Sequence, residues 1–432
     1  MQVAVVALGK IGLPLAVQIA SSGVDVIGVD INPEVVGLVN AGTEPFPGEA
    51  ELADRLPEMI ESGRLRATTR FDEAIPGSDV VIVVVPVIVD QDARPDFRAI
   101  DAATEEIGRN LSPSTLVVYE TTLPVHTTRA RFLPALEATS GRRSGDDLFV
   151  CHSPERVFTG RVFTDLRKYP KLVGGVDAES ARRAVEFYER VLTFDERHDL
   201  PRPNGVWDLG SAEAAELAKL AETTYRNINI AFANELALHA DELGIDIGPV
   251  IEASNSQPFS HIHRPGISVG GHCIPVYPKF YLSVDSDATL PAAAILLNES
   301  MPDRVASRVE AAVGDLVGRR VAVLGLAYRG GVKETAFSGA VPLARALERL
   351  GASVALHDPM FTDEEIGAFG WDVHHLGEPC DVAVVHTDHD EYRSVAAVDL
   401  PGVTYVFDGR GILDRSRFEG VRVDVLGAGA AR

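Results

Sequence analysis

The sequence predicts an α/β protein in which two doubly wound domains are joined by a long central helix. Three observations predict this fold. Short apolar runs alternate with helical patterns over the first 200 residues, one uninterrupted helical pattern covers residues 211–244, and a second strand-and-helix series begins near residue 315. Such alternation is typical of parallel sheets that are covered by helices on both faces.

The first 30 residues follow the order strand, glycine turn, helix, strand. An apolar run at residues 2–7 precedes Gly9 and Gly12, an amphipathic stretch covers residues 13–22, and a second apolar run ends in Asp30. A βαβ unit of this kind is expected at the start of a Rossmann-like domain. Further buried strands are predicted at residues 80–85, 115–119, 148–152 and 171–173.

The middle of the chain predicts one long helix, from Ser211 as a candidate N-cap to Gly244 as a candidate stop. At ~1.5 Å per residue it would be about 50 Å long, which is enough to bridge two domains. Two helices with an unnoticed break would give a similar pattern. A second strand–glycine–helix start at residues 320–325 predicts another Rossmann-like domain, with strands at 382–386 and 405–409.

We therefore expect an N-terminal Rossmann-like domain at residues 1–200, a central helical region at 201–312 and a C-terminal Rossmann-like domain at 313–432.

Composition excludes several classes of function. A net charge of −23 lacks the basic footprint that nucleic-acid binding requires. The apolar runs are too short to span a bilayer, so no membrane insertion is expected, and the first residues do not resemble a signal peptide. Three widely spaced cysteines argue against a disulfide framework and favour the cytoplasm. The scattered histidines lack a companion cysteine set, so no metal site is expected.

The glycine turn at residues 7–12 reads A-L-G-K-I-G, so Ala7 replaces the first glycine of the usual G-x-G-x-x-G pattern. Gly9 would let the backbone approach a pyrophosphate, and Gly12 would let the helix pack closely on the strand. A carboxylate at Asp30 would accept hydrogen bonds from the ribose hydroxyls and repel a 2′-phosphate, which favours NAD over NADP. A tight turn with only a packing role is the alternative.

A second motif surrounds Cys273, in the run PGISVGGHCIPVYPKF at residues 265–280. Two glycines before the cysteine and a proline after it predict an exposed loop. Buried structural cysteines usually lie within apolar patterns, whereas a nucleophilic cysteine needs an open approach. The residues alone leave both roles open.

Together these motifs resemble the UDP-glucose/GDP-mannose dehydrogenase family over essentially the whole chain. The resemblance is carried by ALGKIGLPLA, ETTLP, SPERVFTGRV, AELAKLAETTYRNINIAFANELA, GGHCIP, LGLAYRGGVKET and FDGRG. The SPERV and GGHCIP motifs are closer to the branch that acts on UDP-N-acetylhexosamines such as UDP-N-acetylmannosamine than to the UDP-glucose enzymes.

The resemblance implies oxidation of a sugar C6 alcohol to a carboxylate with two NAD⁺. Cys273 matches the nucleophile that forms the thiohemiacetal and the thioester, and Lys219 matches the lysine that stabilises the oxyanion. Glu155 matches a carboxylate that positions water or relays protons. Thr122 matches a hydroxyl near the reacting centre, and Thr223 stands where the family often has Asn.

The resemblance also assigns binding positions. It implies cofactor contacts at Gly9, Lys10, Ile11, Gly12, Asp30, Pro86 and Thr122. It implies substrate contacts at Arg156, Lys219, His261, His263, Gly270, Arg329, Lys333 and Arg410. For the charged residues, ordinary surface ion pairs or solvation are the alternative. Because the stretch at residues 261–264 can reach a neighbouring subunit's site in the family, a homodimer through the central helix is expected.

Besides Thr223, four further departures leave the substrate open: Val87, Thr159, Tyr277 and Ala336 replace residues that are common in the family. Tyr277 stands where an Asp is usual, and a phenol with a reference pKa of about 10 cannot act as a carboxylate base. The alternatives are a UDP-glucose 6-dehydrogenase, a two-electron β-hydroxyacid dehydrogenase, and a nucleotide-sugar sensor without turnover.

Overall fold

The computed structural model describes residues 1–90 and 92–429, and these divide into two compact units. The first unit takes the described residues of Met1–Glu222 and Lys279–Val284, and the second those of Thr223–Pro278 and Asp285–Arg432. Within these described residues, no helix is both long enough and apolar enough to cross a membrane.

The first unit is built on a sheet with the strand order β10-β9-β8-β7-β4-β1-β2-β3. Its elements are β1 (Gln2–Val6), α1 (Gly12–Ser21), β2 (Asp25–Val29), α2 (Pro33–Asn40), α3 (Leu52–Glu61), β3 (Leu65–Thr68), α4 (Phe71–Ala74), β4 (Val80–Val83), β5 (Ile88–Val89), β6 (Pro95–Asp96), α5 (Arg98–Asn110), β7 (Thr115–Tyr119), α6 (Leu133–Ser140), β8 (Leu148–His152), α7 (Val162–Lys168), β9 (Lys171–Gly175), α8 (Ala178–Val191) and β10 (Val206–Asp208).

The run from β3 through β2, β1, β4 and β7 to β8 is the Rossmann strand order, and its neighbours pair in parallel. The apolar runs predicted as buried strands are confirmed: β4, β7 and β8 are buried at every residue. One expectation was wrong, because β9 pairs antiparallel to β8 rather than extending a parallel sheet. The amino end of β9 therefore lies beside the carboxyl end of β8.

The central helix α9 (Ala212–Leu243) is continuous over 32 residues, or about 48 Å, which rules out two broken helices. Both predicted ends are confirmed. The Ser211 hydroxyl accepts a hydrogen bond from the Ala214 backbone at 3.2 Å, and Gly244 follows with φ +70°. Only glycine adopts this left-handed conformation without steric cost, so the helix stops there.

The second unit contains the remainder of α9 and a six-stranded parallel sheet, in the order β13-β12-β11-β14-β15-β16. The elements that follow α9 along the chain are α10 (Ile247–Asn255), α11 (Tyr277–Val284), α12 (Thr289–Val313), β11 (Arg320–Leu324), α13 (Ala340–Arg349), β12 (Ser353–His357), α14 (Asp363–Gly367), β13 (Asp372–Val373), β14 (Val382–Val385), β15 (Tyr405–Asp408) and β16 (Arg422–Val425). Of these, only α11 has residues in the first unit, namely Lys279–Val284. This order repeats the Rossmann pattern, which confirms the second predicted domain of that type.

Each unit has its own core. In the first, α1, α7 and α8 contribute Leu15, Phe163 and Tyr188 to an apolar cluster with the strands. In the second, α12 and α13 pack Met301 and Leu343 against the sheet residues, together with Ala237 of α9. Helices thus cover both sheets, and the loops at the carboxyl ends of the strands are left to form sites.

Candidate active site

The glycine turn of the first unit joins β1 directly to α1. A Cβ built on Gly12 would lie 1.9 Å from the Ala7 carbonyl oxygen, so only glycine fits this contact between turn and helix. A Cβ on Gly9 would meet nothing within 4 Å, so space is open above the turn. Ala7 has φ +77°, a left-handed conformation that disfavours any residue with a side chain. The missing first glycine therefore leaves local strain at Ala7.

Asp30 follows β2 and faces the same turn. Its carboxylate accepts hydrogen bonds from the Leu8 backbone at 2.8 Å and from the Asn32 backbone at 2.9 Å. Each carboxylate oxygen keeps a further lone pair. Asp30 is thus held in place and can still accept hydrogen bonds from a diol.

The carboxyl ends of β4 and β7 bring two other predicted cofactor residues to this edge of the sheet. The Thr121 hydroxyl donates to the Val85 carbonyl at 2.7 Å, which ties the two loops together. Pro86 is exposed beside this bond, and Thr122 is buried. The predicted cofactor positions therefore share the edge expected for a Rossmann-like site.

The SPERV motif follows β8 and carries two ion pairs. Glu155 accepts a hydrogen bond from the Lys171 ammonium at 2.7 Å, and Arg156 pairs with Glu222 of α9 at 2.8 Å. The Glu155 carboxyl is buried, which alone would raise its pKa, but the Lys171 ammonium lowers it below the ordinary value. Glu155 is therefore held as a carboxylate.

Lys219 and Thr223 lie one helical turn apart on α9, and both side chains are buried. The start of this helix is fixed by Glu216, whose carboxylate accepts hydrogen bonds from the His126 backbone and from the Thr128 backbone and hydroxyl. Burial raises the Glu216 pKa to about 7. Lys219 is therefore not the solvated surface lysine that was the alternative to a functional role.

In the second unit, asparagines of α9 hold the segment that leads to Cys273. Asn229 accepts from the His263 backbone at 2.8 Å and donates to the His261 carbonyl at 2.8 Å. Asn234 accepts from the Gly266 backbone at 2.9 Å, and Asn227 donates to the Ile274 carbonyl at 3.3 Å. The helix therefore fixes the cysteine segment at three points along its length.

Asn298 of α12 completes this network. It accepts a hydrogen bond from Asn234 at 3.0 Å and donates to the Asn227 carbonyl at 3.1 Å. Asn234 and Asn298 are both buried. The two amides thus satisfy each other inside the core, which fixes their orientation.

Cys273 itself is exposed, as the motif predicted. Its carbonyl accepts hydrogen bonds from Val276 at 3.3 Å and Tyr277 at 2.9 Å, so the cysteine begins the turn into α11. The thiol is open to solvent on a backbone that is held on both sides.

The glycines before Cys273 pack against the loop that follows β11. A Cβ on Gly270 would lie 2.5 Å from the Tyr328 Cβ, and Gly271 has φ +89°. The Gly271 amide also donates to the Ala336 carbonyl at 2.8 Å, and the His272 ring lies 3.5 Å from the Glu334 carboxylate. The GGHC and YRGGVKET motifs are therefore neighbours in the second unit.

The residues predicted to bind the nucleotide differ in their surroundings. Arg410 lies beside the cysteine segment, since one guanidinium nitrogen is 2.8 Å from the position of a Cβ on Gly266; it also contacts Asp388 at 3.4 Å. Lys333 pairs with Glu365 at 2.6 Å, the surface ion pair weighed as the alternative. Arg329 is exposed and lies 6.0 Å from the Tyr328 ring centre.

His261 is exposed and His263 is half-buried. Burial and the nearby Arg226 lower the His263 pKa, so the ring is neutral near pH 7. The described residues contain no group of three or more His, Cys, Asp or Glu side chains that could hold a metal ion.

Sequence reasoning missed four residues that build these surroundings: Glu120, Lys171, Asn227 and Asn298. A signal existed for two of them. Lys171 opens a strand that is buried throughout, and Glu120 directly follows another. A charge next to a wholly buried strand is rare unless it is paired. The asparagines gave no such signal, because their partners are distant in sequence.

Comparison with known families matches three consecutive parts of the chain. Residues 1–192 match the NAD binding domain of the UDP-glucose/GDP-mannose dehydrogenase family. Residues 213–301 match the central domain of that family, and residues 322–415 match its UDP binding domain.

Comparison with individual proteins supports the same family. The UDP-N-acetyl-D-mannosamine dehydrogenase of Pyrococcus horikoshii is 35% identical over 91% of this chain and 91% of its own length. That of Salmonella typhimurium is 31% identical over 95% of this chain and 98% of its own. Among solved structures, the P. horikoshii UDP-D-ManNAc dehydrogenase superposes with a TM-score of 0.87, at 33% identity over 99% of both chains.

A UDP-glucose dehydrogenase from Pyrobaculum islandicum is also similar, with a TM-score of 0.85 at 27% identity over 99% of this chain and 98% of that one. Its likeness covers the same length as that of the acetamido-sugar enzymes. The three matching domains and the relatives above 30% identity show that the chain belongs to the UDP-glucose/GDP-mannose dehydrogenase family.

Proposed function

We propose that this protein oxidises the C6 alcohol of a UDP-N-acetylhexosamine, such as UDP-N-acetylmannosamine, to the uronic acid with two NAD⁺. The observation that carries the proposal is Cys273, an exposed thiol on a segment fixed by buried asparagines and packed against the loop after β11. A reactive thiol on a rigid support suits covalent capture of an aldehyde.

The chemistry proposed for the protein's residues starts at that thiol. The Cys273 sulfur adds to the aldehyde carbon and forms a thiohemiacetal, whose oxidation gives a thioester. Water then adds to the thioester carbon, the carbon–sulfur bond breaks and the thiolate leaves. We assign Lys219 to the oxyanion of these steps, Glu155 to the attacking water, and Thr122 and Thr223 to hydrogen bonds near the reacting carbon.

The residues of the first unit fit NAD. The open space above Gly9, the close contact at Gly12 and the spare lone pairs of Asp30 suit a pyrophosphate and a ribose diol. We assign Lys10, Ile11 and Pro86 to the walls of this site. NAD, when bound, supplies the hydride acceptor.

For the nucleotide, Arg410 is the best supported of the three cations, because it already lies beside the cysteine segment. Lys333 would have to exchange Glu365 for a phosphate. Arg329 is exposed, and its guanidinium lies 6.0 Å from the Tyr328 ring centre. Arg156 would likewise exchange Glu222 for substrate. Gly270 allows close approach of the backbone.

The choice of an acetamido sugar rests on the relatives that carry that name and on the SPERV and GGHCIP motifs. Thr223 and Tyr277 depart from the family residues at these positions and leave UDP-glucose as the second substrate to test. The similarity to a UDP-glucose dehydrogenase structure is a further reason to test UDP-glucose.

We also propose a homodimer through the central helix. Tyr225, Phe232 and Leu243 lie about two and three turns apart, on one face of α9, and their exposed fractions are 52%, 47% and 56%. An apolar stripe of this kind is typical of a surface that a second helix covers. In this proposal His261 and His263 contribute to the neighbouring subunit's site, and the protein works in the cytoplasm with its thiols reduced.

The dimer is tested by sedimentation velocity. The substitution Phe232→Glu places a charge in the stripe and should give monomers. Val398→Glu, at an exposed valine of the second unit outside the stripe, is the matched control and should leave the mass unchanged. A wild-type monomer at micromolar concentration would contradict the proposal.

The function is tested by incubating the purified protein with NAD⁺ and a panel of UDP-N-acetylhexosamines, UDP-glucose and GDP-mannose. We expect two NADH per sugar and a uronic acid product, with kcat/KM highest for an acetamido sugar. Preference for UDP-glucose would overturn the substrate assignment. One NADH per sugar would indicate a two-electron dehydrogenase, and binding without NADH would indicate a sensor.

A further inference from the structure

Behind Glu155 lies a buried ionic cluster that the proposed chemistry does not use. The antiparallel pairing of β8 with β9 aligns His152 with Gly174. Continuing that register brings Lys171, the first residue of β9, opposite Glu155. The Ser153 hydroxyl, which donates to the Leu172 carbonyl at 2.8 Å, holds the two chains together there.

The Lys171 ammonium binds two carboxylates at once. It lies 2.8 Å from Glu120, the residue after β7, and 2.7 Å from Glu155. The exposed fraction is 4% for the Lys171 side chain, 0% for Glu120 and 12% for Glu155. The phenol of Tyr188 on α8 donates a short hydrogen bond to the other Glu120 oxygen. Glu155 is thus the most exposed of these three side chains.

The charges in this cluster do not balance when both carboxylates are ionised. Two negative charges then face one ammonium, and Tyr188 contributes a hydrogen bond but no charge. A spare charge in a buried site is costly, and a carboxyl group relieves it by taking up a proton.

Among the described residues, the other titratable groups near the cluster do not supply a second cation. Burial and the Lys171 charge lower the His152 pKa to about 3, so that ring is neutral. Burial raises the Cys151 pKa to about 12, so that thiol is protonated. Asp208 of β10 adds negative charge on this side. Arg156 is engaged with Glu222.

Of the two carboxyls, Glu120 is the one that takes up a proton more readily, so it is ionised only above its raised pKa. Burial raises its pKa above the ordinary value, the Lys171 ammonium offsets this only in part, and the Glu155 charge raises it further. The Glu155 pKa is lowered instead. The two groups therefore differ in basicity while sharing one ammonium.

We propose that Glu120, Lys171 and Tyr188 form a proton-accepting site that serves Glu155 during thioester hydrolysis. The inference rests on the proposed function for its role, although the site itself does not. Water that adds to the thioester carbon gives a proton to the Glu155 carboxylate. Lys171 passes one of its protons to ionised Glu120 and takes up the proton from Glu155, which restores the ammonium and the Glu155 carboxylate.

In this scheme Glu120 and Lys171 are positioning residues that act through Glu155. Their effect should be confined to hydrolysis, because the preceding oxidation steps need no water. Glu120→Gln preserves the size of the side chain and its acceptor for the Tyr188 phenol, but it cannot take up a proton.

The site is tested first without substrate, by infrared difference spectroscopy of the carboxylic-acid C=O stretch of the full-length protein between pH 5 and 9. Burial raises the Glu216 pKa to about 7 as well, so both proteins should show a titrating Glu216 band. We expect the wild type to show an additional band in this range that is absent from Glu120→Gln. Tyr188→Phe removes a hydrogen bond that stabilises the carboxylate, so its midpoint should move to higher pH. Tyr119→Phe is the matched control, since that buried phenol binds Thr104 at 3.0 Å, and its midpoint should stay unchanged.

The role is tested by the pH profile of thioester hydrolysis in rapid-quench experiments. We expect the wild-type rate to rise with pH across the infrared midpoint. Glu120→Gln should lose this rise and be about tenfold slower at pH 8, a modest value for proton-transfer catalysis, while the first hydride transfer stays within about twofold.

Identical titrating bands in the wild type and in Glu120→Gln would overturn the proton site. An unchanged hydrolysis profile in Glu120→Gln would overturn its role. If no nucleotide sugar is oxidised at all, the proposed function fails, and the infrared titration still decides whether the proton site exists.

Discussion

The substitution Asn234→Ala should loosen the segment that presents Cys273. Asn234 is fully buried and accepts a hydrogen bond from the Gly266 amide at 2.9 Å while donating to Asn298 at 3.0 Å. Removing its amide leaves both partners buried and without this bond. Each unsatisfied group costs about 1–3 kcal/mol, so the two together should cost about 4 kcal/mol.

Asn229→Ala provides the matched control on the same helix. It also removes two hydrogen bonds to the segment, at His261 and His263, but these lie where water can replace the lost amide. We expect a cost of about 1 kcal/mol or less. The contrast tests burial, because the residue type is the same and Asn229→Ala removes one bond more, to the exposed Tyr225 hydroxyl at 3.0 Å, yet should cost less.

The assay is hydrogen exchange by mass spectrometry over the peptides of residues 262–276, combined with urea denaturation. In Asn234→Ala these peptides should exchange through local opening that is much easier than in the wild type. Equal protection in the two variants, or a cost below about 1 kcal/mol for Asn234→Ala, would refute the argument that the buried amide pair fixes the cysteine segment.

Three further predictions concern other parts of the molecule. Ala7→Gly should relieve the strain of a residue with φ +77° and raise the free energy of unfolding by about 1 kcal/mol. Gly37→Ala, in open space within α2, exchanges the same two residue types at a helical position and is the control. Destabilisation by Ala7→Gly would contradict the strain. Burial lowers the His152 pKa to about 3 in the folded protein, so as the pH falls the unfolded chain takes up a proton at this residue before the folded chain does. The free energy of unfolding should therefore be about 2 kcal/mol lower at pH 5 than above pH 6.5. In urea titrations His152→Leu should weaken this pH dependence, and an unchanged dependence would disprove the prediction. In rapid-quench kinetics Tyr277→Asp should change the rate of thioester hydrolysis more than the rate of the first hydride transfer. Equal effects on the two rates would count against a role of this position in hydrolysis.

Much of the fold could be predicted from the sequence, because its signals are local. The buried strands β4, β7 and β8 are continuous apolar runs, and α9 has a capping serine at one end and a glycine at the other. The direction of β9 could not be predicted in this way. Parallel and antiparallel buried strands have the same apolar composition, and the direction is set by the chain connections.

The same limit explains what was missed at the site. Cys273 and Gly12 belong to short motifs whose chemistry is visible in their neighbours. The contact of Lys171 with Glu120 depends on the antiparallel direction of β9. The contact of Asn234 with Asn298 joins two helices through residues that are 64 positions apart in the sequence. The ion pair of Lys333 with Glu365 also could not be predicted, since both are ordinary charged residues in sequence.

The central claim is that Cys273 carries the second oxidation, and the most direct measurement is the NADH yield of Cys273→Ser compared with the wild type. In single-turnover experiments with an oxidisable UDP-sugar, we expect two NADH per sugar from the wild type and a covalent thioester trapped by acid quench. The variant should form no thioester and release little or no acid. Two NADH per sugar from Cys273→Ser at the wild-type rate would contradict the account.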